Sequence, residues 1–339
     1  MKNHAKIKYL TYKEIYKQQG FSLVEIILAL SVGLVLLGGV LAVFEGLRTT
    51  TRETSSYGEL EENGRFAISV LTDDLLRQDF WGDYTGTFDF NSINPVPAAP
   101  AGECTGDGVN NGTFPVAVGH FRTLWGDNVT NAKIMNCITD AAVYAAPKTS
   151  DVIQIKRVIS SSLVDALNNP VTTTLANNYY LVSNFNSGVI FAPGTVPTIT
   201  MGQVWQYQHH IYYVREETVG SNQVPVLMQG QLTSKMTFDP IIDGIEIIHF
   251  MYGIDTDGDN IVNAFVAAKD MTADNWNNAN STILAVKIYV LARNITPDSN
   301  YTNANTYNLG DMTFTANDNY RRLLFTSTVT LFNARVDSW

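Results

Sequence analysis

Residues 20–44 read GFSLVEIILALSVGLVLLGGVLAVF, and the rest of the chain is organised around them. Ile26 to Phe44 gives 19 consecutive uncharged positions. A helix rises about 1.5 Å per residue and the hydrocarbon core of a bilayer is about 30 Å thick, so this stretch can span it. Before it stand Lys2, Lys6, Lys8, Lys13 and Lys17 against a single acid, Glu14; after it the charges balance as Glu45, Arg48, Arg52 and Glu53. That asymmetry predicts a cytoplasmic N-terminus and an extracytoplasmic chain beyond residue 48. An ordinary secretory signal does not fit, because the apolar run is too long and no small-residue cleavage site follows it. A plain signal anchor leaves Glu25 unexplained. A carboxylate at the centre of a membrane helix costs about 2.5–3.5 kcal/mol by insertion scales, and such groups as a rule have a partner.

The segment Gly20-Phe21-Ser22-Leu23-Val24-Glu25 resembles the processing motif of type IV pilins and type II secretion pseudopilins. The resemblance implies that a prepilin peptidase cuts after Gly20 and methylates the new N-terminal residue, Phe21. It also implies that Glu25 counters the free amine of a neighbouring subunit, which supplies the missing partner between chains. Residues 1–20 are then a cleaved basic leader. Within the span, Ala29-x-x-x-Gly33 and Gly38-x-x-x-Ala42 have the small-residue spacing that lets helices approach, although glycine is also simply tolerated in membrane helices. Gly38-Gly39 lowers helix propensity by about 1 kcal/mol per glycine, which predicts a turn that loosens when the subunit packs into a filament.

Downstream, Tyr57, Leu60, Gly64, Ala67, Ile68, Leu71 and Leu75 recur at three- and four-residue spacing, with Glu59, Glu62, Arg65, Asp73 and Arg77 opposite. This is an amphipathic helix over about 55–79. The stretch Leu60–Gly82, LEENGRFAISVLTDDLLRQDFWG, resembles the segment after the membrane helix in PilW-type minor pilins. Asp151–Ile155, Ile211–Val214, Gly244–Asp257, Ala285–Arg293 and Tyr320–Asn333 resemble strands of that family in the same order. Residues 85–148 and 160–200 match poorly and are expected to be variable insertions. The fold class expected is therefore α+β and pilin-like. A long N-terminal helix (residues 21–80, membrane-spanning to about 44) packs on an antiparallel β-rich head, 81–339, with large loop insertions. Period-two runs such as Trp205-x-Tyr207-x-His209-x-Ile211-x-Tyr213 support strands in the head independently.

The whole chain carries −10; taking away the leader's +4 leaves −14 for residues 21–339. An acidic body with no lysine or arginine cluster argues against nucleic acid as a partner. The two cysteines, Cys104 and Cys137, are expected to form a structural disulfide once exported, worth about 3–4 kcal/mol for a loop of this size. Asp255, Asp257 and Asp259 alternate as in the first half of an EF-hand loop, which makes Ca2+ a candidate ligand. The pattern is incomplete, since Asn260 and Val266 stand where glycine and a bidentate glutamate belong, and Asp-Gly is also ordinary turn chemistry. His209 and His210 are adjacent, so on a strand they point to opposite faces and do not chelate one ion. His209 is expected in the core or at a strand edge. No nucleophile, zinc or phosphate-loop motif is present, so catalysis is not expected. Sequons such as those at Asn128 and Asn294 read as Asn/Thr-rich loop composition.

The expected role is non-enzymatic: a minor pilin in a tip or initiation complex of the type IV pilus. Its partners would be other minor pilins, the assembly platform, the prepilin peptidase and, before assembly, the inner membrane. A minor pseudopilin of type II secretion and a tip adhesin are the alternatives.

Overall fold

The computed structural model describes residues 20–86, 93 and 95–333. The predicted leader lies outside these residues except for Gly20. One helix, α1 (Leu23–Leu76), opens the described chain. The chain divides into two compact units at Ser55/Ser56. The first contains the apolar stretch, and residues 20–52 are exposed throughout. Among the described residues, α1 is the one helix long and apolar enough to cross a membrane. Residues 36–42 are helical without a break, so the Gly38-Gly39 pair does not interrupt the single subunit.

The second unit holds the rest of α1 and the strands. They are β1 (Leu124–Asn128), β2 (Asp151–Val158), β3 (Tyr180–Ser183), β4 (Gly188–Phe191), β5 (Gln203–Val219), β6 (Asn222–Leu232) and β7 (Met236–Asp243). After them come β8 (Ile245–Asp255), β9 (Ala264–Ala267), a short α2 (Ala273–Trp276), β10 (Thr282–Arg293), β11 (Thr306–Asn308), β12 (Thr313–Thr315) and β13 (Arg322–Thr330). β1 to β7 make a seven-stranded antiparallel sheet around the long β5, whose successive stretches pair with β3, β2 and β6. A second, four-stranded sheet runs β13-β10-β8-β9, and β11 and β12 form a separate hairpin. The two large sheets share one apolar core with Leu60, Ala67, Leu71 and Leu75 of α1. The head is thus the expected α+β arrangement, and all five resembling segments fall on strands.

In this unit α1 buries Leu60, Gly64, Ala67, Leu71, Asp74 and Leu75, a four-three alternation that keeps one stripe on the sheets. Contacts account for the Glu62-Asn63-Gly64-Arg65 step. The Asn63 side chain donates to the Asp243 carbonyl at 3.1 Å. A methyl on Gly64 would lie 2.1 Å from Phe325 Cε2, so only glycine lets the helix meet β13 this closely. The helix ends where Asp79 enters the left-handed region at φ 59°, its carboxylate accepting from Trp81 Nε1 at 2.8 Å.

The insertions differ from the loops that the sequence suggests. The first contains β1, and the second contains β3 and β4, all four or five residues long. Strands that short offer too few repeats for a period to show. The first insertion also covers the face of β5 turned away from Asp74. Phe114 packs on Tyr207 at 5.5 Å, and the Thr113 hydroxyl lies 3.3 Å from His209 Nδ1. The Cys104–Cys137 disulfide closes this layer, with the Cα atoms 5.0 Å apart.

Candidate functional site: the N-terminal segment and the charged seats of the head

Ser22 and Glu25 form a reciprocal cap at the start of α1. The Ser22 N–H donates to Glu25 Oε2 at 2.9 Å, and the Glu25 N–H donates to Ser22 Oγ at 3.2 Å. This capping box satisfies two of the N–H groups that a helix start leaves open. Sequence reasoning did not assign Ser22 a role, although the S-x-x-E signature just before an apolar run is the signal that marks it. Glu25 therefore has a partner inside its own chain. Only one carboxylate oxygen is used, and Oε1 accepts no hydrogen bond among the described residues. Phe21 is 84% exposed. A Cβ on Gly20 would meet nothing within 4 Å, so neither space nor backbone conformation requires glycine there.

Inside the head, Asp74 sits in the apolar stripe of α1 and is 3% exposed. Arg157 Nε donates to its Oδ1 at 2.6 Å, while His210 Nδ1 and the Tyr212 hydroxyl lie 2.7 and 2.9 Å from Oδ2. Gln229 Nε2 donates to the Tyr212 hydroxyl, which completes the set. Burial alone would raise the Asp74 carboxyl, but His210 and Arg157 outweigh it and hold the group well below the usual carboxylate range. Such a depressed group stabilises the fold fully above its unfolded pKa of about 3.9 and loses that contribution as pH falls through the folded value. Acid unfolding followed by tryptophan fluorescence is expected to show a strong loss below about pH 4. Asp74→Asn is expected to shallow that slope. An unchanged slope in the variant would mean that other carboxylates set the acid limit.

A second buried carboxylate, Glu246 on β8, is fully enclosed by cations. Arg322 holds it with two bonds of 2.5 and 3.0 Å, Arg293 at 3.2 Å and Lys148 at 2.7 Å. Burial pushes this carboxyl up, but the Arg322 hydrogen bonds and the three positive charges bring it down to about 2. Arg322 turns its remaining edge to Asp318, at 2.7 and 2.6 Å. The cluster fastens the start of β8 to the end of β10 and the start of β13.

A family model described as type IV pilus-assembly protein W (PilW) matches residues 211–333, from the middle of β5 to just past the end of β13. The prokaryotic N-terminal methylation motif matches residues 15–41 and so contains the Ser22–Glu25 cap. Together the two matches support a PilW-type type IV pilin. No curated protein and no solved structure matches the chain. Glu246, Arg293 and Arg322 lie inside the region matched by the PilW model, while Lys148 lies outside it. The insertions with the disulfide lie outside it.

The candidate calcium loop is a self-contained turn. The carboxylate oxygens of Asp255, Asp257 and Asp259 come within 4.8 Å of one another. Asp255 is committed to the turn, accepting from the backbone N–H groups of Asp257, Gly258 and Asn260 at 3.1, 2.8 and 2.8 Å. Gly258 and Asn260 both have positive φ, as this tight loop needs. Asp255→Ala is expected to lower the melting temperature of the pilin equally with and without calcium. A loss that appears only with calcium present would assign the carboxylates to the ion. His209 is fully buried between Thr113 and Gln154 Oε1, and His210 turns to Asp74 on the opposite face, so the pair does not converge. His249, isolated in sequence, lies 2.9 and 2.8 Å from the carboxylates of Asp151 and Asp311. Those two acids outweigh the effect of burial and raise its pKa.

Proposed function

We propose that this chain is a minor pilin that joins a tip or initiation complex and supports assembly of the type IV pilus. Before assembly it waits in the inner membrane with its N-terminus cytoplasmic and its head on the other side. The prepilin peptidase cuts after Gly20 and methylates Phe21. The observation that carries this reading is Glu25: an acid in an otherwise uncharged, exposed apolar stretch, capping its own helix with one oxygen and leaving the other free. When helices bundle, that oxygen receives the Phe21 amine of a neighbouring pilin, and the cost of a lone charge in the membrane is removed. A subunit at the extreme tip has no neighbour above it whose amine needs countering, so the presence of Glu25 supports a position below another subunit. Gly20, which the fold does not require to be glycine, is explained as the residue that the peptidase reads.

The family is structural, and the head supplies rigid seats rather than reactive groups: the buried acids Asp74 and Glu246 are neutralised by arginine, lysine and histidine. Co-purification of the processed chain after mild cross-linking tests the assignment. Recovery with other minor pilins and the pilus assembly platform is expected. Recovery with type II secretion components instead would place it in that system.

A further inference from the structure

The last strand of the four-stranded sheet has one side without a partner. β13 pairs with β10 over its whole length and stands at the end of the order β13-β10-β8-β9. Just beyond its two ends, the Leu331 N–H donates to the Leu284 carbonyl at 2.8 Å and the Asn294 N–H to the Arg321 carbonyl at 3.0 Å. Bonded and non-bonded positions alternate along an antiparallel ladder. The register is unbroken, so the odd-numbered residues of β13 bond to β10. Leu324, Thr326 and Thr328 then turn their backbone N–H and C=O groups to the open side, where no described residue meets them.

This edge borders a groove. It measures about 530 Å³ and lies between α1 and β13, lined in part by Arg65, Ile68, Ser69, Thr72, Leu76 and Thr326. The Thr72 hydroxyl is buried there without a hydrogen-bond partner. The charges on the walls are already matched within α1, Arg65 to Glu61 and Asp73 to Arg77. Other edges in the head are blunted: β7 carries Pro240, with Asp239 and Asp243, while β1, β4 and β9 are only five, four and four residues long. β13 is nine residues long and contains neither proline nor lysine.

We propose that the open edge of β13 receives an extended strand from the head of a neighbouring pilin. The strand would pair with Leu324, Thr326 and Thr328 and lay its side chains against Ile68 and Leu76. The hydrogen-bonding pattern demands an extended backbone, and the internally paired walls select an uncharged strand rather than a basic or acidic one. One wall of the groove is formed by α1, the helix whose first turn holds Glu25, the proposed subunit contact, and this points to another pilin as the source. This inference rests on the reading of the chain as a filament subunit.

The test uses the full-length chain in its own bacterium, with the chromosomal copy deleted. Thr326→Pro removes one outward N–H and leaves every bond to β10 in place. Thr328→Lys puts a charge on the edge and guards against a folding defect in the proline variant. With processed protein at normal levels, both variants are expected to carry about tenfold fewer pili, as losing part of a hydrogen-bonded strand contact implies. A photo-cross-linker at Thr328, but not at Thr237 on β7, is expected to capture a different protein that has its own N-terminal methylation motif. Capture of only a second copy of this chain, or of no pilin, overturns the proposal. Normal pili in both variants, in a background where the deletion strain has few, overturn the strand site alone. Normal pili in the deletion strain overturn the filament-subunit reading, and this inference with it.

Discussion

Glu25→Ala is expected to be cleaved after Gly20 at the normal rate and to fail in assembly. The peptidase acts on a single chain at the membrane surface, so losing a contact made only between chains leaves the cut intact. On the proposed function, the Glu25 carboxylate would face the amine of a neighbour in low dielectric inside a bundle. Removing one partner of such a pair costs about 3–5 kcal/mol, because the other charge stays buried without compensation. At about 1.4 kcal/mol per factor of ten, that lowers incorporation by two orders of magnitude or more. The loss of the Ser22 N–H cap adds about 1 kcal/mol of fraying at the start of α1. Glu25→Gln separates the two effects, since it keeps a hydrogen-bond acceptor for Ser22 without the charge. Immunoblots of sheared filaments against membranes read both variants. Wild-type amounts of Glu25→Ala in filaments would show that the carboxylate is not an intersubunit contact.

The second large effect is on the head. Glu246→Ala would leave Arg322, Arg293 and Lys148 converging on a cavity without an anion, and Glu246 itself is fully buried. Breaking a buried pair from one side costs about 3–5 kcal/mol. Three cations share this one carboxylate, so the top of that range is expected. Domains of this kind hold only about 5–15 kcal/mol in total, so the variant should unfold near physiological temperature. The same physics gives a pH dependence. With its carboxyl lowered to about 2 by the surrounding cations, Glu246 contributes in full above the unfolded glutamate value and loses that contribution as pH falls through about 2. Urea unfolding of the processed chain in detergent measures this through tryptophan fluorescence, since no tryptophan lies in the apolar stretch. A midpoint within error of wild type would mean that the cluster is relieved by water or by Asp318.

Much of this architecture is legible in the sequence, and the exceptions have physical causes. The apolar span is local and composition-driven, so its length alone marks the helix. Near the C-terminus, β8, β10 and β13 fall where the family resemblance puts them. Asp74 is harder to read, because a lone acid between Leu71 and Leu75 resembles a break in the stripe. Its partners Arg157, His210 and Tyr212 come from two strands at least 83 residues away. Glu246 is hidden for the same reason: the resemblance marks its strand, but not the three cations that meet on it. The clean alternation of β5 also fails from Ile211 to Val214, where both faces are buried. There Tyr212 turns to α1 while Tyr213 reaches Asp140 of the first insertion. The insertions contribute a layer of the core, which no local pattern announces.

The most direct measurement of a cut, methylated and assembled subunit is intact-protein and N-terminal peptide mass spectrometry of the chain recovered from sheared pili. The expected product begins at Phe21, carries a methyl group on its amine and retains the Cys104–Cys137 bond. A chain in the filament fraction that still begins before Gly20, or a processed chain found in membranes and never in filaments, would contradict the assignment.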